Sequence, residues 1–496
     1  MKKRQSLIKG ILMVILLTIA GFAFVLEAEA ADVSIKTVYF DDGSGLKRVS
    51  ETSLSNIVDV TVFTNSRADK VTVNGKEADE AGGGWDVYGL ELKTGKNTIQ
   101  VVATDTANNK KVTEKYEINY LGGNVPGINY VINDLTLAGK KLKLFDGALQ
   151  VSLPKQNAVM FNGKAAPYQK VKFSVAAPSF KPSSDANYIS NIFTFTADYS
   201  TNCTINGEAE LTFEYDPQVS GTDSYLLTVL RLEPSYISNG FSFPLVQNLG
   251  GVVDTKSNTI TVKVKNAVFG AYVVVKKTGD FTDFYPQAGK KSPVAWSRPY
   301  VLALWAKGVM EPLAVYPNGN RVKQGYFGLI DNNNAETPIT RREMAGLVVK
   351  ALHLPGNIGD ALVMPTFTDL SKMSLFERMP IETAARNGLF SGFPGKNGGL
   401  EFRPDAPMTR EQAGIVLARA TGAELPDPAK ASAYCKAYFK NDYAAINEWA
   451  CPYILVAMQQ GLLQVTEPGY MRPTKLFSRA DAARAVYLLM KTKGSI

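Results

Sequence analysis

Three arginines recur at a fixed interval near the C-terminus, and their setting suits the binding of an anion. Arg341, Arg410 and Arg479 follow one another at intervals of 69 residues. Each arginine directly follows a Thr or Ser that suits a helix N-cap, and Glu, Gln or Asp stands three positions after that cap, as in a capping box. A helix N-terminus presents unpaired N–H groups, and a guanidinium beside it adds a planar fork that fits a carboxylate or a phosphate. The pattern therefore indicates three sites for an acidic ligand.

The arginines also have a purely structural interpretation. A cation in the first turn opposes the helix dipole by about 0.3–1 kcal/mol, so repeating this choice three times needs a physical reason. An anionic ligand supplies one reason. Pairing with a nearby acid, or packing of the arginine stem over a neighbouring helix, supplies another. The residues alone leave both interpretations open.

Repeated helices must hold the arginines in place. After the cap, apolar residues fall at i, i+3, i+4 and i+7, as over residues 344–351, which predicts an amphipathic helix. An earlier helix carries an aromatic residue twelve positions before a glycine that suits a helix C-terminus. A fixed period of this size indicates a tandem array of one helix–loop–helix unit rather than a single enzyme core. The three aromatic–glycine pairs are Trp296 and Gly308, Phe376 and Gly388, and Trp449 and Gly461.

These motifs resemble the S-layer homology (SLH) family, whose repeats combine F-x-D, an aromatic residue with a P-Y-I helix, a G-hydrophobic turn, F-R-P and I-T-R-A-E. The middle copy is the clearest, with F-T-D at 367–369, F-R-P at 402–404 and M-T-R-E at 408–411. The resemblance covers about residues 280–492. It implies an all-α bundle of three repeats, which we name segment 1 (residues 279–355), segment 2 (356–425) and segment 3 (426–496).

The resemblance implies attachment to the cell wall. SLH units bind secondary polysaccharides of the Gram-positive wall, typically ones that carry acidic pyruvate ketals. In each segment the Arg would pair with the ligand carboxylate, while the Asp and the aromatic residue would shape the sugar groove and bind the sugar. The carbohydrate-binding residues are then Asp283, Trp296 and Arg341 in segment 1, Asp369, Phe376 and Arg410 in segment 2, and Asp442, Trp449 and Arg479 in segment 3.

The three segments depart from the family pattern to different degrees. Segment 1 has about eleven more residues between its turn glycine and Arg341 than segment 2 has between the matching positions, and it lacks F-R-P. Segment 2 has Phe376 where the other two have Trp, and it alone has the second turn glycine, Gly392. We therefore expect binding first in the groove of segment 2 and least in that of segment 1.

Residues 31–120 and 121–278 alternate between apolar and polar positions, as strands do. In the first region the alternation is broken by turn signals such as Asn74-Gly75, which predicts a β-sandwich of about 90 residues. This region resembles the immunoglobulin-like and cadherin-like modules of bacterial surface proteins. The second region, with strong strand patterns such as 149–153, predicts a second β-sandwich. The predicted fold class is multidomain, with all-β sandwich modules followed by an all-α SLH repeat bundle.

The sequence carries no familiar catalytic motif, such as a G-x-S-x-G elbow, H-E-x-x-H or a Gly-rich phosphate loop. The single histidine, His353, is predicted to end a helix, which argues against His-based catalysis and His-rich metal sites. Glu208 and Glu210 could serve a glycosidase, but paired acids on one face of an exposed strand are more often solvated. We predict no catalytic residue, no cofactor and no metal site. Four acids with Ca²⁺-ligand chemistry are also expected to be solvated: Asp32, Asp41, Asp42 and Asp105.

Residues 1–30 match a secretory signal peptide, with a basic start, an apolar stretch at 11–25 and an A-x-A cleavage site at 28–30. An uncleaved membrane anchor is the alternative, although the apolar run is short for a span. Removal of this segment lowers the formal charge from +8 to +6. Such a mild basic excess suits an anionic wall polymer or a membrane surface better than nucleic acid. We expect an exported, soluble protein without membrane insertion after cleavage.

Cysteine is rare in this chain, so disulfides are not its main source of stability. The three cysteines are Cys203, Cys435 and Cys451. Cys435 and Cys451 are close enough in sequence to pair. Two buried free thiols is nevertheless the interpretation that the sequence favours.

These patterns predict a non-enzymatic protein of the cell surface. Its C-terminal segments would hold it non-covalently on the wall polysaccharide, as an S-layer subunit or an S-layer-associated structural protein that can self-associate in a surface lattice. An anchored enzyme is the alternative, and it would show buried, perturbed acids in a pocket within 126–278. An adhesin is a third hypothesis, and it would show an exposed aromatic patch near Trp85 and Tyr88.

Overall fold

The chain divides into two compact units. The first comprises Met1–Pro178, Asn191–Leu211 and Val264–Ala271, and the second comprises Ser179–Ser190, Thr212–Lys263 and Tyr272–Ile496. The predicted signal peptide lies outside the described residues, and no described helix has both the length and the apolar composition needed to cross a bilayer. The computed structural model describes residues 32–132, 139, 141–153, 159–161, 164–165, 171–178, 186–197, 203–205, 207–220, 223–232, 236–238, 241–243, 246–265, 270–287, 289–356, 365–395 and 398–496.

The first unit begins with two five-stranded sheets. Their strands are β1 (Ile35–Asp41), β2 (Leu46–Arg48), β3 (Thr52–Ser53), β4 (Ile57–Thr64), β5 (Lys70–Val73), β6 (Lys76–Glu77), β7 (Asp79–Ala81), β8 (Gly84–Glu91), β9 (Gly95–Asp105) and β10 (Lys110–Tyr120), in the orders β2-β1-β4-β8-β7 and β3-β10-β9-β5-β6. In β4, Val58, Val60 and Val62 are buried and the residues between them are not, as expected when one face of a sheet is covered. Asn74-Gly75 forms the predicted turn between β5 and β6, and both residues have positive φ, 48° and 78°.

Further strands complete the first unit. They are β11 (Asn129–Ile132), β12 (Lys141–Leu144), β13 (Leu149–Ser152), β14 (Val159–Phe161), β15 (Lys164–Ala165), β16 (Val171–Ala176), β18 (Ile192–Ala197) and β19 (Cys203–Ile205). Strand β16 pairs with β11 and β18, β12 pairs with β13, and β14 pairs with β15 and β19, all antiparallel. Along β16, Val171, Phe173 and Val175 are buried, which is the alternation of a strand with one covered face.

The second unit starts with strands and a short helix. They are β17 (Ala186–Tyr188), α1 (Pro217–Ser220), β21 (Leu227–Leu232), β22 (Tyr236–Ser238), β23 (Phe241–Phe243), β24 (Val246–Gly250) and β25 (Val252–Asp254), while β20 (Glu208–Glu214), β26 (Thr259–Lys265) and β27 (Gly270–Lys277) cross the boundary between the units. The pairs β17–β27, β21–β24, β22–β23 and β25–β26 are antiparallel. The predicted β-rich region before residue 279 is confirmed, whereas the immunoglobulin-like character of 31–120 stays a prediction.

The remainder of the second unit is mainly helical, as predicted. Its helices are α2 (Arg298–Ala306), α3 (Arg341–Ala351), α4 (Leu375–Arg386), α5 (Arg410–Thr421), α6 (Pro428–Tyr438), α7 (Cys451–Gln459) and α8 (Arg479–Thr492), and a small hairpin joins β28 (Phe393–Pro394) to β29 (Leu400–Glu401). His353 lies just after the last turn of α3, which agrees with its predicted place at a helix end.

The predicted caps begin the helices that carry the arginines. Thr340 with Glu343, and Thr409 with Gln412, form reciprocal capping boxes at the starts of α3 and α5. Ser478 caps α8 by accepting a bond from the N–H three positions later. These local contacts fix where each helix begins, and they therefore fix the position of each arginine at the first helical residue.

The helices of the three segments form a closed ring. The second helix of each segment packs on the first helix of the next: α3 on α4, α5 on α7, and α8 back on α2. The chain just before each of these second helices joins the ring through isolated antiparallel bridges between residues of different segments. The bridges are Pro338 to Ser478, Thr340 to Pro407, and Thr409 to Leu476.

A buried lysine connects this ring to the strands of the second unit. Lys307, directly after α2, is buried, and its ammonium donates hydrogen bonds to the carbonyl oxygens of Leu227 (3.0 Å) and Gly251 (2.8 Å). Asn248 donates to the carbonyl oxygen of Ala306 at 2.7 Å. Burial lowers the pKa of Lys307 to about 7, because the charged form loses its hydration. The strands and the first helix are thus held by polar bonds as well as apolar packing.

Candidate functional site

The three arginines are buried, and each one reaches across to the next segment. Arg341 donates from Nε to the Phe402 carbonyl at 2.6 Å and from Nη2 to the Ser391 carbonyl at 2.9 Å. Because Arg341 belongs to segment 1 and its acceptors belong to segment 2, the guanidinium joins the two segments. Its face also lies 4.7 Å from the centre of the Phe402 ring, within the range of a cation–π contact.

The other two arginines repeat this geometry around the ring. Arg410 donates from Nε to the Met471 carbonyl at 3.1 Å and from Nη2 to the Gln464 carbonyl at 2.6 Å, both in segment 3. Arg479 of segment 3 donates from Nη2 to the Glu311 carbonyl at 3.0 Å in segment 1. The guanidinium groups therefore link segment 1 to 2, segment 2 to 3, and segment 3 back to 1.

The aspartates of the F-x-D positions hold the turns that the arginines contact. Asp369 accepts hydrogen bonds from the backbone N–H groups of Phe402 (2.8 Å) and Arg403 (2.7 Å). Asp442 accepts in the same way from Met471 (2.9 Å) and Arg472 (2.6 Å). These carboxylates satisfy turn amides, so a structural role is visible for both residues.

Asp283 plays this part in segment 1, where the sequence lacks F-R-P. Its buried carboxylate accepts from the N–H groups of Phe327 (2.5 Å), Leu329 (2.6 Å) and Ile330 (3.2 Å). Phe327-Gly328 thus replaces the expected Phe-Arg pair, and Gly328 has φ of 85° where Arg403 has 58°. Sequence reasoning missed this turn because segment 1 has Phe-Gly where the motif has Phe-Arg-Pro. The Phe-Gly pair upstream of I-T-R was a usable signal.

The expected grouping of site residues within each segment is wrong. The charge of Asp369 acts on Arg341, that of Asp442 on Arg410, and that of Asp283 on Arg479, so each arginine lies near the aspartate of the following segment. The reason is that the arginine begins the helix that packs on the next segment. The sets that the structure brings to one junction are Arg341 with Asp369 and Phe376, Arg410 with Asp442 and Trp449, and Arg479 with Asp283 and Trp296.

The predicted aromatic residues are exposed at these junctions. Phe376 is 75% exposed, Trp449 59% and Trp296 44%. Trp449 has Tyr453 beside it, with ring centres 6.4 Å apart, and Arg419 of α5 lies 5.2 Å from that tyrosine ring across the junction. Exposed aromatic surface beside polar groups suits a ligand with both apolar and polar faces, such as a sugar ring.

Among the described residues, one of the three arginines forms a salt bridge. Arg479 forms a salt bridge with Glu343, whereas within the described part of the chain Arg341 and Arg410 have no carboxylate at salt-bridge distance. Burial lowers the pKa of Arg341 to about 10, and nearby Arg403 acts in the same direction, so the group stays protonated at neutral pH. In the described part of the chain, Arg341 and Arg410 therefore lack a direct carboxylate partner, which an acidic group of a ligand can supply.

The third residue of each second helix explains this asymmetry. Glu343 reaches Arg479 from the neighbouring segment. By the same ring order, Gln412 occupies in segment 2 the position that Glu343 occupies in segment 1, and its neutral amide brings no negative charge to the junction with Arg341. Asp481 acts on Arg410 through its charge but is one methylene shorter than Glu.

We predict that the F-x-D aspartates contribute chiefly to stability. In Asp442→Asn the side chain keeps one acceptor oxygen and loses the second turn bond, so the free energy of unfolding should fall by about 1–2 kcal/mol. Urea unfolding followed by the helical circular-dichroism signal measures this. The exposed Glu424→Gln is the matched control and should change nothing. Unchanged stability of Asp442→Asn, together with loss of ligand binding, would point instead to direct contact with the ligand.

Other candidates of the sequence lie apart from these junctions. Glu208 and Glu210 are exposed. Asp42 is buried, which acts to raise its pKa, but hydrogen bonds led by Lys47 outweigh burial and hold the pKa at about 2. No group of three or more potential metal ligands occurs among the described residues. In β8, where the adhesin hypothesis expects an exposed aromatic patch, Trp85 is half-buried and its indole N–H donates to the Thr64 hydroxyl, while Tyr88 is half-exposed.

Known proteins resemble parts of this chain. An amylopullulanase of Thermoanaerobacterium thermosulfurigenes is 25% identical over 248 residues, which are 50% of this chain and 11% of that protein. The exoglucanase XynX of Acetivibrio thermocellus is 26% identical over 193 residues, 39% of this chain and 16% of that protein. Since the chain spans so little of either relative, these matches do not indicate whether it is an enzyme.

A solved structure and a family model also match parts of the chain. The Bacteroides ovatus mixed-linkage glucan utilization locus protein SGBP-B, in complex with a mixed-linkage heptasaccharide, is 9% identical, with 50% of this chain and 90% of that chain covered and a TM-score of 0.10, too low to inform the fold. Residues 366–413, from the F-x-D turn of Asp369 to the first turn of α5, match the S-layer homology domain. The chain therefore contains an S-layer homology domain, which indicates attachment at the cell surface.

Proposed function

We propose that segments 1 to 3 are three SLH repeats that bind an acidic, pyruvylated secondary polysaccharide of the Gram-positive wall. They hold the protein there non-covalently, while the β-rich part, residues 31–278, is displayed outward. In this proposal the protein is a structural component of an S-layer, or a protein associated with one, and it has no enzymatic activity.

One observation carries the proposal: guanidinium groups with no carboxylate at salt-bridge distance among the described residues share a junction with exposed aromatic rings. At the junction of segments 2 and 3, Arg410 has only backbone acceptors among the described residues, and Trp449 belongs to the helix start that packs on the same α5. An acidic sugar needs both a cation for its carboxylate and a flat apolar surface for its ring. A neutral sugar would not require the charge.

Binding to purified wall tests the proposal directly. The mature chain should sediment with wall material, and chemical removal of the secondary polymer should abolish the binding. Removal of only the pyruvate groups should weaken it strongly, because the buried charge then meets a neutral ligand. Equal binding to stripped peptidoglycan would refute the polysaccharide assignment.

We expect Trp449→Ala to weaken wall binding about tenfold without unfolding the protein. A largely exposed ring contributes little to stability, so the free energy of unfolding should change by less than about 0.5 kcal/mol. A lost stacking surface costs about 1.4 kcal/mol of binding, which is tenfold in affinity. Titration of the soluble polysaccharide with the mature chain measures the affinity, and urea unfolding measures the stability. Tyr434→Ala, an exposed aromatic residue on α6, is the control and should bind normally. Equal affinities of the two variants would remove Trp449 from the site.

A second candidate function is that of a wall-anchored enzyme or adhesin, with its activity in residues 31–278. The names of the two relatives, an amylopullulanase and an exoglucanase, support this candidate. Incubation of the mature chain with α- and β-glucans, followed by reducing-sugar measurement, tests for the enzyme. Electron microscopy of the purified protein on wall fragments tests for the lattice that a structural S-layer protein would form.

A further inference from the structure

Each segment ties the start of its first helix to the chain that precedes it, through the residue two positions after the exposed aromatic. In segment 1 this residue is Arg298, whose Nε and Nη2 donate to Asp280 at 2.9 and 2.6 Å. In segment 2 it is Arg378, which donates to the carbonyl oxygens of Met373 (2.9 Å) and Ser371 (2.6 Å). In both segments an arginine thus joins the start of the first helix to the chain that precedes it, although the acceptors differ.

Cysteine occupies this position in segment 3. Cys451 is the first residue of α7 and stands two positions after Trp449, and its thiol interacts with that of Cys435 in α6, the helix that packs on α7. Both cysteines are fully buried. Helix α6 is also held near the start of α7 by Ser432, whose hydroxyl lies 2.7 Å from the Glu448 carboxylate. The thiol pair therefore stands where the other segments use a guanidinium.

We propose that Cys435 and Cys451 form a disulfide in the protein at the cell surface, as a covalent counterpart of the two arginine contacts. The inference depends on the surface location, because disulfides persist in oxidising surroundings. The oxidant is a low-molecular-weight disulfide or the oxidised form of a thiol–disulfide oxidoreductase. The two thiols give up two protons and two electrons as the S–S bond forms, and the oxidant takes them up as its own S–S bond becomes two thiols.

The bond must form before α6 packs fully on α7. Burial raises the pKa of both thiols, so the folded protein holds little of the reactive thiolate. An external oxidant also has no surface access to sulfur atoms that are fully buried. For the same reasons, a reductant should open the bond slowly in the native protein and quickly in denaturant.

Thiol counting on the secreted full-length mature protein tests the proposal. Protein purified without reductant is unfolded in guanidinium and labelled with a maleimide, before and after reduction. Because the sequence holds three cysteines, the disulfide predicts one label, on Cys203, before reduction and three after it. Cys203→Ser is the matched control and should take none before reduction and two after. Peptide mapping should recover the fragments of Cys435 and Cys451 joined before reduction.

Three labels without reduction, also after refolding in oxidised glutathione, would overturn the proposal. A second readout is heat unfolding followed by the helical signal. Closing a loop of about 17 residues should raise the transition of the oxidised protein by roughly 5 °C over the reduced one, and Cys435→Ser/Cys451→Ser should match the reduced form. Equal transitions of the oxidised and reduced forms would count against a stabilising bond. Since labels are counted without wall, failure of wall binding leaves this result readable, and the reverse also holds.

Discussion

Replacing Gln412 with Glu is expected to lower the affinity for the proposed acidic wall polymer about 10- to 100-fold while leaving the fold intact. The new carboxylate would pair with Arg341 as Glu343 pairs with Arg479. A hydrogen bond to a charged group contributes about 1.5–3 kcal/mol, and each 1.4 kcal/mol is tenfold in affinity. Glu also suits the third position of a capping box and the positive end of the helix dipole, so the stability of α5 should not fall. Calorimetric titration of purified secondary polysaccharide measures the effect.

The reverse exchange supplies the control for this prediction. Glu343→Gln removes the partner of Arg479 and should make the junction of segments 3 and 1 available to an acidic group, with a higher stoichiometry of ligand binding. Both variants exchange an amide and a carboxylate at equivalent positions, the third residue of the second helix of a segment. Unchanged affinity in Gln412→Glu, together with unchanged stoichiometry in Glu343→Gln, would contradict binding of the ligand acid at the guanidinium groups.

Arg410→Ala should destabilise the helical ring by about 2–4 kcal/mol and should also weaken wall binding. The substitution removes both hydrogen bonds across the junction and leaves the carbonyl oxygens of Met471 and Gln464 without their donor. Urea unfolding, followed by the helical signal, measures the first effect. Wall binding is then measured well below the unfolding transition, so that the variant and the unaltered protein are compared while both are folded.

Two further variants separate the effect of losing a buried, hydrogen-bonded arginine from the effect of losing a positive charge. Arg342 is partly exposed and pairs with Glu377 and Asp405 at the surface, so Arg342→Ala should cost less than about 1 kcal/mol. Arg410→Lys keeps the charge but lacks the planar fork that reaches two carbonyl groups, and it should fall between the other two variants in stability. Full stability of Arg410→Ala would show that the bonds across the junction contribute nothing.

The local features of the helical segments could be predicted from the sequence because each depends on a few neighbouring residues. The capping boxes of Thr340 and Thr409 are read from a four-residue pattern, and the structure confirms both. The glycines predicted to end the first helices, Gly308, Gly388 and Gly461, have positive φ of 68°, 71° and 70°. The change of apolar period from about 2 to 3.6 near residue 280 predicts helices in the C-terminal region, which the structure confirms.

The partners of the arginines could not be predicted, because they depend on how segments pack. A helix pattern shows which residues share a face, but it does not show which segment that face meets. Arg341 of segment 1 therefore lies near Asp369 of segment 2. Asp283 holds the Phe327-Gly328 turn, which no sequence motif predicts. The pairing of Arg479 with Glu343 joins residues 136 positions apart, and only the closed ring brings them together.

The closed ring of helices has a consequence for chains that are only partly synthesised. The bond from Arg479 to the Glu311 carbonyl spans 168 residues, and α8 must be present before it can pack on α2. Contacts at such separation form slowly, and chains fold from the N-terminal end as they emerge. A chain that is cut short before α8 should therefore lose its whole hold on the surface rather than a third of it. Retention at the surface would then act as a test of completeness, with unfinished molecules shed into the medium.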